Sequence, residues 1–126
     1  MYIMKKLLLI LALIPLFAMG QKPYKVYCQI VGSETLSGEV KIRIDFGQDR
    51  FDNNKLVDEK GEDVKFNSMM DAVNYISKRG WDFEQTYAFS VGGNGVYHYM
   101  FSKQVTDDSQ IKDGILIKED FKKKKK

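Results

Sequence analysis

Cys28 and His98 are the only cysteine and the only histidine in the chain. Together they are the one nucleophile–base pair it offers. A thiol attacks only when a base takes its proton, a third group orients that base and an open cleft admits the substrate. Both residues fall in the core-facing phase of apolar strands, so they meet if the first and last strands are neighbours. The reading without chemistry is a small buried cysteine beside a core histidine. Asp82 and Glu84, two apart on one strand, are a second candidate as paired carboxylates. Glycoside hydrolysis needs such groups on opposing walls, at least about 5 Å apart, and so small a domain has little cleft. Asp49, Asp52, Asn54, Asp58, Glu62 and Asp63 are rich in oxygen ligands, but their spacing lacks the glycine and terminal glutamate of a calcium loop. Gly92-Gly93-Asn94-Gly95 leads into a strand, so it is no phosphate loop. No catalytic set, metal or cofactor is expected.

What remains is the chemistry of a surface. Tyr97, Tyr99 and Phe101 share one face of the last strand, expected to be the outer one. Tyr27, Lys41 and Arg43 from the first two strands are placed beside them. Tyrosine and arginine are residues that binding surfaces over-use. The competing expectation is that residues 47–66 or the C-terminal segment roof this face over.

The elements that must position these residues follow from periodicity. Tyr24 to Val31 alternates, with Tyr24, Val26, Cys28 and Ile30 on one side. Residues 32–38 read as a loop. Val40, Ile42, Ile44 and Phe46 then alternate with Lys41, Arg43 and Asp45, closing an antiparallel hairpin. Residues 47–54 are loop, and Lys55–Asp58 with Asp63–Phe66 form either two short strands or an ordered excursion. Ser68 and Asp71 resemble a capping box. Met69, Ala72, Val73 and Ile76 make one apolar helical stripe, with Lys78-Arg79 at the negative end of the dipole and Gly80 in the left-handed position beyond it. Trp81 to Val91 is a long strand with Trp81, Phe83, Tyr87, Phe89 and Val91 on one face. A glycine-rich turn of two or four residues follows, and Val96 to Lys103 returns. His98 and Met100 then share a face with Phe89 and Val91. Ile115-Leu116-Ile117 is at most one weak added strand. Trp81 is expected to plug the gap between helix and sheet.

Composition bounds the rest. Of 126 residues, the first twenty read as a secretory signal: Lys5-Lys6, an apolar run from Leu7 to Phe17, then Ala18-Met19-Gly20 before Gln21. A helix of that run reaches roughly 16 Å, about half a bilayer's hydrocarbon core. The expected product is therefore one periplasmic or secreted domain over 21–121, with no stable membrane span, and a disordered lysine tail at 122–126. Two of the 20 basic residues lie in the signal and five in the tail, leaving 13 against 17 acidic residues. The body has no basic excess for nucleic acid. A single cysteine allows no internal disulfide, so the core alone must hold the fold.

The order strand, strand, helix, Gly-Trp, strand, strand resembles a widespread family of small exported bacterial domains of unknown function, of the kind found in Bacteroidota. Asn74-x5-Gly80-Trp81-Asp82-Phe83 and the closing Tyr99-x-Phe101-x-Lys103 carry the resemblance, over roughly residues 24–103. It implies an α+β fold: a four-stranded antiparallel sheet in β-β-α-β-β order with one helix on one face. It transfers no activity. The expected function is a non-enzymatic binding or interaction module whose partner is an unknown protein or cell-envelope ligand. The alternative is an inhibitor or accessory subunit of a cell-envelope enzyme.

Overall fold

The computed structural model describes residues 21–125, apart from the side chains at positions 91, 94 and 95. The expected signal segment, residues 1–20, lies outside the described residues, as does Lys126. The fold is mixed α+β, with a four-stranded antiparallel sheet and two α-helices. No helix among the described residues is long and apolar enough to cross a membrane.

The alternating segments form β1 (Tyr24–Glu34) and β2 (Val40–Asp45), paired antiparallel from Gln29↔Asp45 to Glu34↔Val40. β1 therefore runs past Val31 through residues expected to be loop. Gly32 faces Ile42 on one side and Tyr97 on the other. A side chain at Gly32 would run into the thioether of Met69, so glycine lets the following helix lie close to the sheet.

That helix, α1 (Met69–Ser77), starts as its sequence requires. Asp71 N donates to Ser68 Oγ at 3.2 Å, and the Asp71 carboxylate accepts from Asn67 N at 3.0 Å. Ala72, Val73 and Ile76 are buried. Arg79 holds the far end by donating to Tyr75 O at 2.9 Å and Gly114 O at 2.8 Å. Gly80 then turns the chain at φ 91°, a region costly for any residue with a Cβ.

β3 (Asp82–Val91) and β4 (Asn94–Val105) follow. Gly92 and Gly93, at φ 58° and 84°, make the two-residue turn, as a mirror-image hairpin turn requires. The sheet order is β2-β1-β4-β3. A bulge at Glu84 shifts the β3 register, so that Phe83 faces Phe101 but Gln85 faces Met100. One extra residue moves everything beyond it to the other face. Phe83 therefore does not share a face with Tyr87 and Phe89. Its ring sits 5.9 Å from Phe101 and 6.0 Å from Tyr99, whereas Tyr87 and Phe89 pack on His98.

One face of the sheet contributes Cys28, Ile30, Val40, Ile42, Ile44 and Phe101 to a single core with Ala72, Val73, Ile76 and Trp81. Each large side chain fully withdrawn from water there contributes about 1.5–3 kcal/mol. The long excursion completes this core. Ile44 N donates to Asn54 O at 2.9 Å, Leu56 N to Ile42 O at 3.1 Å, and Val40 and Phe66 exchange two bonds of 2.7 Å. Residues 54–66 thus line the outer edge of β2, and Leu56 and Phe66 enter the core. The C-terminal segment joins them: Val57 N donates to Leu116 O at 2.9 Å, and Ile115 and Ile117 are buried in the same cluster.

The second helix, α2 (Lys118–Lys124), takes in Lys122–Lys124, part of the run expected to be disordered. Glu119 and Asp120 lie in its first turn and Lys122–Lys124 in its last, so both charge sets complement the helix dipole. Phe121 anchors it, because its ring lies over Gly61, which has no Cβ to obstruct it.

Candidate functional site

The nucleophile–base pair is not assembled. β1 and β4 are neighbours, but Cys28 pairs with Phe101 on the core face, while His98 pairs with Val31 on the opposite face. Burial pushes the Cys28 thiol up to about 12, with Asp45 adding to the rise and Lys103 opposing it. Thiol reagents are expected to leave the native protein unlabelled at neutral pH and to label it once denaturant unfolds it. Rapid native labelling, followed by mass spectrometry, would contradict this burial.

The acidic residues serve local structure. Glu84 accepts a hydrogen bond from the buried Ser102 and lies 3.9 Å from Lys25. Asp58 Oδ1 accepts from Lys60 N and Glu62 N at 2.9 and 3.0 Å, and Asp49 Oδ1 from Phe51 N at 3.0 Å, closing turns. Asp63 binds Lys41 Nζ at 3.1 Å. Among the described residues, no three His, Cys, Asp or Glu side chains gather as a metal-binding group.

The outer face of the sheet is open. The 47–66 excursion and the C-terminal segment bury Leu56, Phe66, Ile115 and Ile117 in the inner core, and they leave Tyr27, Tyr87 and Phe89 of the outer face about half exposed. Its occupants differ in part from those the alternation predicts. Tyr27, Lys41 and Arg43 do lie on it, Tyr27 being 54% exposed. Phe101 does not: it is fully buried in the core opposite Cys28, and Tyr99, opposite Ile30, packs against that same core. Tyr97 shares their phase, beside Gly32. The physical reason is bulk. Over residues 96–101 both rows of β4 carry apolar side chains, and the row with more aromatic area, Tyr97, Tyr99 and Phe101, goes inward.

In their place the outer face carries Tyr87, Phe89 and His98. The Tyr87 ring lies 4.7 Å from the imidazole at 7°, and the Phe89 ring 5.0 Å from it at 20°. Tyr87 reaches across β4 to donate its hydroxyl to Gln29 Oε1 at 2.9 Å. The two rings lie nearly parallel to the imidazole, and both His98 nitrogens are out of water without a hydrogen-bond partner. Tyr87 and Phe89 remain 42% and 49% exposed, so this is an aromatic platform with its upper side in solvent. The signal that could have located it is the polarity contrast in β4: His98 and Ser102 mark the weaker core row.

The other end of this face is basic. Arg43 and Lys55 stand opposite each other across the edge of β2, beside Lys41. A cavity of about 160 Å³ lies among Ser33, Lys41, Arg43, Lys55 and Asp63. Like charges placed opposite on adjacent strands repel, and Asp63, held by Lys41, is the carboxylate lining this cavity.

Compared with known proteins, the chain matches no family model, no curated protein sequence and no solved structure.

Proposed function

We propose that this protein is an exported, non-enzymatic binding module that docks a partner protein or cell-envelope ligand on the open face of its sheet. One observation carries the reading: an uncovered face on which Tyr27, Tyr87 and Phe89 each expose about half of their area. Aromatic rings held rigid on a sheet offer large contact area at little entropic cost. The basic corner at Lys41, Arg43 and Lys55 favours a partner that sets acidic groups beside an apolar patch. The domain is read as β-β-α-β-β with α1 on the inner face. The close approach of Met69 to Gly32, and the burial of Ala72, Val73 and Ile76 with Ile30 and Ile42, support that arrangement.

The test pairs capture with substitution. The purified protein is expected to retain a species from envelope extract that Tyr87→Ala/Phe89→Ala loses by about tenfold or more. The double variant should stay within about 1 kcal/mol of wild-type stability, because both rings are half in water. Equal retention by both proteins would remove the platform from the binding surface. Periplasmic or secreted location follows from reading residues 1–20 as a signal. Mass spectrometry of the exported protein is expected to find Gln21 at its N-terminus; residues 1–20 retained in a membrane fraction would reverse this.

A further inference from the structure

We propose that β3 is an association edge, pairing antiparallel with the β3 of a second copy about a two-fold axis at Ala88. The two outer strands of the sheet are treated differently. β2 has its free side lined by the backbone of residues 54–66, whereas β3 pairs with β4 alone among the described strands. An unpaired edge is a template for another strand, and proteins guard such edges with short strands, bulges, proline or charge. β3 is ten residues long. Its bulge and both of its charges, Asp82 and Glu84, lie at one end. Gln85 to Ser90 carries neither charge nor proline, and every residue of that stretch is exposed.

The hydrogen-bonding phase selects the register. Counting back from the two-residue turn, Phe89↔Val96 and Tyr87↔His98 are hydrogen-bonded pairs. Thr86, Ala88 and Ser90 then turn their N–H and C=O groups away from β4. One antiparallel register pairs all three with the same three residues of a second copy: Ala88 opposite Ala88, and Thr86 opposite Ser90. It makes about six main-chain hydrogen bonds. On the outer face the same register sets Tyr87 opposite the other copy's Phe89, an aromatic cross-strand pair that extends the row over His98. Glu84 falls opposite the other copy's glycine turn, so no carboxylates confront each other. A neutral, self-complementary edge of this kind selects a second copy over a charged strand of another protein. The proposal is independent of what the outer face binds.

Sedimentation of the purified protein over a concentration series is expected to show a reversible monomer–dimer equilibrium. Ala88→Lys, which sets two cations opposite each other at the axis, should stay monomeric with an unchanged circular dichroism spectrum. Ala88→Pro should do the same, since proline is tolerated where the lost N–H faced solvent. As wild type dimerises, amide exchange should slow about tenfold or more at Thr86, Ala88 and Ser90, and not at Tyr87 and Phe89. The proposal is overturned by a wild-type protein that stays monomeric up to about 1 mM. A dimer that survives both substitutions overturns it too, as does association without that alternating protection. If Ala88→Pro fails to fold, Ala88→Lys and the exchange pattern still decide.

Discussion

Trp81→Ala is expected to cost about 3–5 kcal/mol, a large fraction of the total for a domain of this size, and to unfold much of the population. Trp81 is 1% exposed, follows the helix-ending Gly80, and shares the core with Ile76 and Phe101. Phe46 lies 6.0 Å away and Lys103 Nζ is 5.7 Å from its ring. Truncation leaves a cavity where helix and sheet meet, with no disulfide to hold the fold against it. The indole Nε1 is buried without a partner, so its N–H already costs about 1–3 kcal/mol. Trp81→Phe removes that orphan donor and should be far milder than Trp81→Ala. Chemical denaturation of the three proteins checks both. Equal losses in the two variants would mean that Nε1 has a partner after all.

Phe101→Ala should be of similar size, about 3–5 kcal/mol, whereas Met100→Ala, one residue away, should cost about 1 kcal/mol or less. The contrast comes from the strand period of two. Phe101 is fully buried opposite Cys28, and Met100 is half-buried on the open face opposite Gln29. Denaturation midpoints at constant slope would show it. Comparable losses at the two positions would mean that the outer face is covered.

Those adjacent residues also show where sequence legibility ends. α1 could be read because several independent signals agree there: the Ser68 cap, the stripe at 69, 72, 73 and 76, and Gly80 at the end. β2 was equally plain, with Val40, Ile42 and Ile44 alternating against Lys41, Arg43 and Asp45. β4 was not, because Tyr97, Tyr99 and Phe101 alternate with His98 and Met100, and both rows are apolar enough to face a core. Alternation fixes a strand but not which of two apolar faces is inside. The bulge at Glu84 compounds this: nothing in Phe83-Glu84-Gln85 announces an extra residue, yet it moves Tyr87 and Phe89 to the other side. Of the six residues expected on the outer face, Tyr27, Lys41 and Arg43 lie there, and they come from the strands with one clear apolar row. α2 is not legible in the lysine run alone, which reads as self-repulsion; what holds it is the Glu119-Asp120 turn before the run and the Phe121 ring over Gly61.

The central seam of the sheet has a kinetic meaning. The β1–β2 hairpin and the β3–β4 hairpin each close over short stretches of chain, and each can form early. The seam joins β1 to β4, from Tyr24↔Val105 to Gly32↔Tyr97, across the excursion, α1 and all of β3. Bringing such distant segments together loses chain entropy before the shared core compensates for it. Closing the seam is therefore expected to limit the folding rate and to make this domain fold more slowly than a helical bundle of its size, which stopped-flow refolding would show. Until the seam closes, two hairpins with apolar faces coexist in one chain, and that interval is when the protein is most open to aggregation.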